Sequence, residues 1–216
     1  LISPRADDSI EMIGQLKPAV FSKMDAQQGF FQIPLDDRDK DKTAFLSRTK
    51  KYRYRSMPMG LSSSAQAFQA LINIILQNLQ YKCAIPYLDD ILCLSPSIDQ
   101  HFTDLRQVFT ALRKGNLKLK KKKCEFFLEQ IDFLGMKVTT DGIKPSPDKV
   151  QAIKNFKIPN NLRQLRSFLG LSQFYRKFIK SFSHKAKPLF QLLKQDVKFQ
   201  WTEQCQTAFD SIKNSI

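Results

Sequence analysis

Residues 83–95, CAIPYLDDILCLS, form an apolar run broken at its centre by Asp89 and Asp90. Two like charges about 4 Å apart repel by roughly 1 kcal/mol in water and about 4 kcal/mol at an effective dielectric of 20. The flanking segments 83–87 and 91–94 read as two strands with the aspartates between them, a hairpin with its turn at the carboxylates. Asp is a good turn residue and a solvated tip tolerates charge. The neighbours here are Tyr87, Leu88, Ile91 and Leu92, which predict a strand pair lying on a core. A divalent cation reverses the sign of the problem, and hard cations such as Mg²⁺ take carboxylate oxygens.

A third carboxylate strengthens the case. Asp25 closes the apolar segment VFSKMD, read as a strand over 20–25. If that strand pairs with the hairpin, three carboxylates adjoin. Such a set suits two metal ions and an in-line phosphoryl displacement.

Charge points to the partner. Lys and Arg number 35 against 20 Asp and Glu, a net charge of +15. Residues 1–143 hold 21 basic and 16 acidic side chains, a net of +5, whereas 144–216 hold 14 and 4, a net of +10. This asymmetry favours a polyanion, most often nucleic acid. Seven of the eleven residues in 113–123 are basic, a run that also fits a solvated face. The four cysteines are scattered without a CxxC pair and there are only two histidines, which argues against zinc and for reduced thiols in an intracellular setting. No apolar stretch approaches the roughly 20 residues that span a bilayer, and the first 24 residues do not resemble a signal peptide.

Along the chain, 20–25 and 30–35 read as strands around a turn at Gln27-Gln28-Gly29, and 43–48 with 52–57 as a hairpin. Pro58 and Gly60 break the pattern, and Ser62, Ser63 and Ser64 offer N-caps. Phe68, Leu71, Ile72, Ile75, Leu76 and Leu79 recur at helical spacing, and Gln69 on that helix reads as a solvated position. Ser97 to Gln100 resembles a capping box ahead of a second helix carrying Phe102, Leu105, Val108, Phe109 and Leu112, which ends near Gly115. Short strands are expected around Phe126 and over 133–138, with a turn at Asp141-Gly142. The proline-bearing stretch 144–159 reads as a connector, and the chain beyond it as a small, basic, helical subdomain. The order of elements predicts an α+β fold, an antiparallel sheet with helices on one face.

The segments FSKMDAQQGFFQI, KTAF, MPMGLSSSAQAFQ, YLDDILCLS, LKLKKKKCEFF, FLGMKVTTDGIKPSPDKV and LRSFLGLSQFYRKFIKSFS occur in one order over nearly the whole chain. In this the chain resembles the reverse transcriptases of gypsy-type long-terminal-repeat retrotransposons, relatives of retroviral polymerases. The resemblance implies a right-hand polymerase: a palm with part of the fingers over 1–142, and a connector with a helical thumb over 143–216. The upstream fingers and the downstream ribonuclease H and integrase regions are expected to lie outside this chain. The implied activity is RNA-directed DNA polymerisation with two Mg²⁺, Mn²⁺ being an alternative. The implied partners are an RNA or DNA template with primer, a dNTP and the rest of a Pol polyprotein, with no membrane, in cytoplasmic particles or the nucleus.

By position, the resemblance makes Asp25, Asp89 and Asp90 the catalytic and metal-binding residues, with Asp25 and Asp89 the principal pair. It places Phe30 where an aromatic ring excludes a ribose 2′-hydroxyl, although Phe30 also suits core packing. Met59, Gly60 and Tyr87 fall beside the incoming nucleotide. Phe133, Leu134, Gly135 and Met136 match the hairpin that grips the primer end. Arg163, Arg166, Arg176, Lys177 and Lys180 match thumb contacts to backbone phosphates, which position without reading sequence. The chain departs from the pattern at Pro86, expected to loosen the strand before YLDD, and at Ala65, Arg55 and Ser56. Two functional classes stay open on sequence: an active polymerase core, or a catalytically silent remnant that binds nucleic acid. A sheet-type RNA-binding module is disfavoured, because its strands would carry exposed aromatics in place of carboxylates.

Overall fold

A computed structural model describes residues 6–216. The chain forms two compact units, one comprising residues up to Ile131 together with Val138–Gly142, the other Asp132–Lys137 with Ile143–Ile216.

The first unit opens with helix α1 (Ala6–Leu16) and strand β1 (Val20–Asp25). A short helix α2 (Asp37–Lys40) and a two-rung hairpin, β2 (Phe45–Leu46) and β3 (Lys51–Tyr52), come next. Helix α3 (Ser64–Ile75), strands β4 (Ala84–Tyr87) and β5 (Asp90–Ser95), helix α4 (Ile98–Lys114) and strand β6 (Glu125–Leu128) complete it. The main sheet has the order β4-β5-β1-β6, and its paired neighbours run antiparallel.

β5 is central and buried along Ile91–Ser95, which is why its sequence reads as an unbroken apolar run rather than an alternating one. One face of the sheet presents Met24, Ala84, Ile91 and Cys93 to Phe68, Ile72 and Leu76 from the α3 segment and to Leu105, Val108 and Leu112 of α4. The larger of these apolar side chains, Met, Leu, Ile, Val and Phe, contribute about 1.5–3 kcal/mol each by leaving water. On the alternate positions Phe21, Leu92 and Leu94 are buried as well, and α1 lies against β5. Pro86 keeps its register opposite Ile91 in β4, an edge strand, where the missing N–H removes no bond from a second neighbour.

α4 carries two buried polar side chains, His101 and Asp104, because the sheet supplies partners. The Phe127 N–H donates to Ser22 Oγ at 3.2 Å, Ser22 Oγ lies 2.7 Å from His101 Nε2, and His101 Nδ1 lies 2.9 Å from Ser95 Oγ. Ser95 Oγ donates onward to Asp104 Oδ2 at 2.6 Å. Ser95 gives its one proton to Asp104 and so accepts from His101 Nδ1–H, while Ser22 can give its own proton to Nε2; a neutral His101 protonated at Nδ1 satisfies the whole network.

A three-stranded sheet is formed by β7 (Gln130–Phe133), β8 (Met136–Thr139) and β9 (Gly142–Pro145). The second unit is otherwise helical: α5 (Pro147–Lys154), α6 (Leu162–Phe174), α7 (Phe182–Gln191) and α8 (Glu203–Lys213). Its core joins Leu165, Phe168, Leu189, Phe209 and Ile212, with the Phe168 and Phe209 rings 4.5 Å apart. Asn161 and Thr202 cap α6 and α8 through Gln164 N and Cys205 N. Among the described residues no helix is long and apolar enough to cross a membrane.

Several expectations change. The strand expected over 30–35 is a 3-10 turn over Gly29–Gln32, entered through a left-handed Gln28 (φ 49°). The alternation in GFFQI imitates a strand, but the Gln32 side chain folds back, donating to Gln27 O and Lys118 O and accepting from Lys118 N. The hairpin of 43–48 and 52–57 shrinks to Phe45–Leu46 paired with Lys51–Tyr52. The 144–159 stretch is not only a connector, since Pro147 starts α5, where a missing N–H costs nothing. Ser63 makes no side-chain cap; Ser64 instead donates to Pro58 O at 2.9 Å. The segment 133–138 is no continuous strand: Leu134 (φ 52°) and Gly135 (φ 72°) turn the chain between β7 and β8.

Candidate active site

Antiparallel register places Asp25, the last residue of β1, directly opposite Asp90, the first of β5. Tyr87 pairs with Asp90 across the hairpin, so the turn itself is Leu88 and Asp89 rather than the two aspartates. The Ala26 N–H donates to Asp89 O at 2.9 Å, which ties the end of β1 to the tip. Asp25 and the adjacent pair Asp89 and Asp90, distant in sequence, therefore share one end of the sheet.

The tip is held in an uncommon shape. Leu88 has φ 51°, a left-handed conformation that costs a non-glycine residue roughly 1 kcal/mol. Gln69 of α3 compensates: its Oε1 accepts the Leu88 N–H at 2.7 Å and its Nε2 donates to Pro86 O at 3.2 Å. Gln69 is 2 % exposed, so the expectation of a solvated helix position is wrong. A polar residue beside Phe68 on the apolar stripe is the one local signal of its role. Gly29 packs over the same tip. A Cβ there would stand 2.9 Å from Asp89 Oδ1 and 2.5 Å from Phe68 Cζ, so a side chain is excluded.

Electrostatically the site is frustrated. Asp89 Oδ1 is buried without a hydrogen-bond partner among the described residues. Burial, then the charges of Asp25 and Asp90, push the Asp89 carboxyl above the usual carboxylate range, and Lys123 opposes them. Lys123 Nζ sits 3.0 Å from Asp25 Oδ2, and Lys23 Nζ 3.0 Å from Asp90 Oδ2. The pairing with Asp25 raises the Lys123 ammonium above its ordinary value. Neither lysine stands out in the sequence, although Lys23 interrupts an apolar strand. Among the described residues no group of three or more His, Cys, Asp or Glu is drawn together as a metal cage. The donor set is nonetheless all carboxylate oxygen, with one oxygen orphaned and two others neutralised by ammonium groups. That fits a hard divalent cation.

Phe30 is half-buried, its ring edge-on to Phe68 with centroids 5.6 Å apart, and it comes directly after the glycine that touches Asp89. Phe31 turns away to Tyr54 and is 37 % exposed. Met59 is exposed, and Gly60 has φ 91° with open space where a Cβ would be, so backbone conformation rather than crowding calls for glycine there. Tyr87 is half-buried in β4.

In the second unit Phe133 and Met136 are buried, and Leu134-Gly135 form the turn between them. Gly135 O accepts the Tyr175 hydroxyl at 2.9 Å and the Ser146 N–H at 3.2 Å, fastening the turn to the end of α6. In the sequence Tyr175 reads only as an apolar position. Arg163, Arg166, Arg176, Lys177 and Lys180 are exposed along α6 and the segment after it.

Residues 5–138 match the family model described as "Reverse transcriptase (RNA-dependent DNA polymerase)". The chain is 43 % identical over 189 residues to the retrovirus-related Pol polyprotein from transposon 297 of Drosophila melanogaster, covering 87 % of this chain and 18 % of that protein. It is 35 % identical over 213 residues to the Pol polyprotein from transposon 412 of the same organism, covering 99 % and 17 %. With the Pol polyprotein from transposon gypsy, also of D. melanogaster, identity is 31 % over 211 residues, covering 93 % and 20 %. The chain thus spans about a fifth of the length of these relatives. Among solved structures, a foamy viral protease-reverse transcriptase in complex with double-stranded DNA superposes with a TM-score of 0.85 at 26 % identity, over 99 % of this chain and 38 % of that one. The same type of enzyme in complex with an RNA/DNA hybrid gives a TM-score of 0.78 at 26 % identity, over 94 % and 28 %.

Proposed function

The chain belongs to the reverse transcriptase family, among the retrovirus-related Pol polyproteins of gypsy-type transposons, and from that premise we propose that it is the polymerase core of such a protein. It adds deoxynucleotides to a primer annealed to an RNA or DNA template. The primer 3′-hydroxyl attacks the α-phosphate of a dNTP, a phosphodiester forms, the α–β phosphoanhydride breaks and pyrophosphate leaves. The observation that carries this reading is the convergence of Asp25, Asp89 and Asp90 at one sheet end, with an Asp89 oxygen left unpartnered.

Asp25 and Asp89, with Asp90 beside them, would hold two Mg²⁺ or Mn²⁺ ions, which supply charge neutralisation at the attacking and leaving oxygens. The chain's own residues do the rest. Gln69 and Gly29 fix the turn that presents Asp89. Phe30, braced by Phe68, excludes a ribose 2′-hydroxyl by bulk. Met59, Gly60 and Tyr87 border the nucleotide, Gly60 letting backbone approach it. The turn Phe133–Met136 grips the primer end. Arg163, Arg166, Arg176, Lys177 and Lys180 bind backbone phosphates, so each change to Gln lowers the salt slope of duplex binding by about one. Ribonuclease H and integrase segments of a Pol polyprotein are the proposed covalent neighbours, and cytoplasmic particles or the nucleus the proposed location.

Primer extension with wild type and Asp89→Asn tests the assignment: extension by the first and none by the second is expected, and equal extension overturns it. The net +10 of residues 144–216 supports a second reading, a nucleic-acid-binding remnant without chemistry. That reading predicts salt-dependent duplex binding with no Mg²⁺-dependent extension.

A further inference from the structure

The two lysines on the carboxylates are unequal. Lys123 leaves 57 % of its side chain exposed while its partner Asp25 is 14 % exposed. Lys23 and Asp90 are 24 % and 32 % exposed. The backbone that carries Lys123 is pinned to β1: the Lys120 N–H donates to Asp25 O at 2.8 Å, Ala26 and Leu119 form a bridge, and Gln32 grips Lys118. The Lys123 side chain thus reaches Asp25 from a fixed base with most of its length in water.

This is an asymmetric pair. A nearly buried carboxylate beside two others needs a cation at all times. An exposed ammonium loses little on returning to solvent, since exposed lysines pair weakly. Lys23 differs, being itself largely covered on the strand beside Asp90.

We propose that Lys123 is a displaceable counterion, occupying the Asp25 carboxylate until a divalent cation takes its place, while Lys23 stays on Asp90. The inference rests on the polymerase reading of this site and adds to it a residue that sets how readily metal enters. The chain then has two mutually exclusive ways of neutralising Asp25, so whatever weakens one strengthens the other's apparent hold. Removing Lys123 tightens metal binding and destabilises only the metal-free protein. The second effect has an unusual sign, because deleting a lysine from a chain of net charge +15 ordinarily relieves repulsion.

The test is Mn²⁺ titration followed by the electron paramagnetic resonance of the free ion, with thermal melts in EDTA and in saturating Mn²⁺. Lys123→Gln is expected to bind Mn²⁺ about two- to fivefold more tightly than wild type. Its melting temperature should fall in EDTA and match wild type in saturating Mn²⁺. Lys122→Gln, an exposed neighbour, controls for bulk charge and should bind as wild type does. If Asp89→Asn abolishes Mn²⁺ binding while Lys123→Gln binds no more tightly than wild type, the counterion role is overturned and the carboxylate site stands. If Asp89→Asn binds Mn²⁺ as well as wild type, the metal site itself is overturned, and the counterion role with it.

Discussion

Gln69 Oε1 accepts the backbone N–H of Leu88 at 2.7 Å, so a helix side chain closes the turn that carries Asp89. The same carboxamide donates to Pro86 O and to Asn73 Oδ1. Gln69→Ala leaves a left-handed Leu88 with its N–H unpaired in a half-buried turn. We expect a loss of about 1–3 kcal/mol of stability and, because the tip relaxes, a fall in single-turnover extension rate larger than any change in duplex affinity. Chemical denaturation and single-turnover kinetics check both, and an unchanged rate would show that the turn holds its shape without Gln69.

Asp89 is poised at the expense of stability. Its carboxyl is raised above the ordinary value, so the folded chain holds this proton to higher pH than the unfolded chain does, and stability is lost as pH rises from the ordinary carboxylate value through the raised one. Asp89→Asn removes the charge while keeping the shape. In EDTA at neutral pH the variant should melt about 2–4 °C higher than wild type, corresponding to about 1 kcal/mol for a chain of this size, although it no longer extends primers. A lower melting temperature would mean that Asp89 is structurally satisfied in a way its orphaned oxygen contradicts.

How much of the fold and site is legible in the sequence depends on how far each signal reaches. The helices around Phe68 and Val108, and the strand-turn-strand at YLDD, rest on periodicity and turn chemistry within about a dozen residues, and the structure has them. Gly29–Gln32 misleads because Phe31, Ile33 and Leu35 alternate with Gln32 and Pro34 as strand residues do, whereas the deciding bonds run from Gln32 to Lys118, 86 residues away. Gln69 misleads for the same reason, and the role of Tyr175 stays hidden: their importance lies in backbone partners on other elements, Leu88 and Gly135, which no local pattern reveals. The convergence of Asp25 with Asp89 and Asp90 is legible because carboxylates at the ends of apolar segments mark where paired strands end together. The lysines that neutralise Asp25 and Asp90 are hidden among the 35 basic residues of the chain.

The buried network of Ser22, His101, Ser95 and Asp104 predicts acid sensitivity. Burial holds the His101 pKa below 6.5, with Asp104 partly opposing. The unfolded chain therefore takes up a proton first as pH falls through about 6.5, and stability declines from there down to the lower folded-state value. The contribution is at most about 1.4 kcal/mol per pH unit. Comparing denaturation midpoints at pH 7.5 and 5.5, His101→Gln should show a smaller loss than wild type. The difference between the two slopes is the quantity to read, because every other titrating group contributes alike to both proteins. Parallel slopes would show that His101 does not titrate in this window.

Phe30 and Phe31 are adjacent, but only Phe30 is backed by the core. Its ring stands edge-on to Phe68, next to the glycine that touches Asp89, whereas Phe31 leans on Tyr54 at the surface. In the proposed role Phe30 would exclude a 2′-hydroxyl by volume, with Phe68 bracing the ring. Phe30→Val should therefore raise incorporation of ribonucleotides relative to deoxynucleotides by about 10- to 100-fold. It should also lower stability by about 1–3 kcal/mol, because a half-buried aromatic is truncated. Phe31→Val should leave the ratio within about twofold of wild type. The ratio of kcat/KM for a matched rNTP and dNTP pair measures the effect. If Phe31→Val relaxed the selection and Phe30→Val did not, the ring that guards the sugar would be the exposed one, and the bracing by Phe68 would be core packing alone.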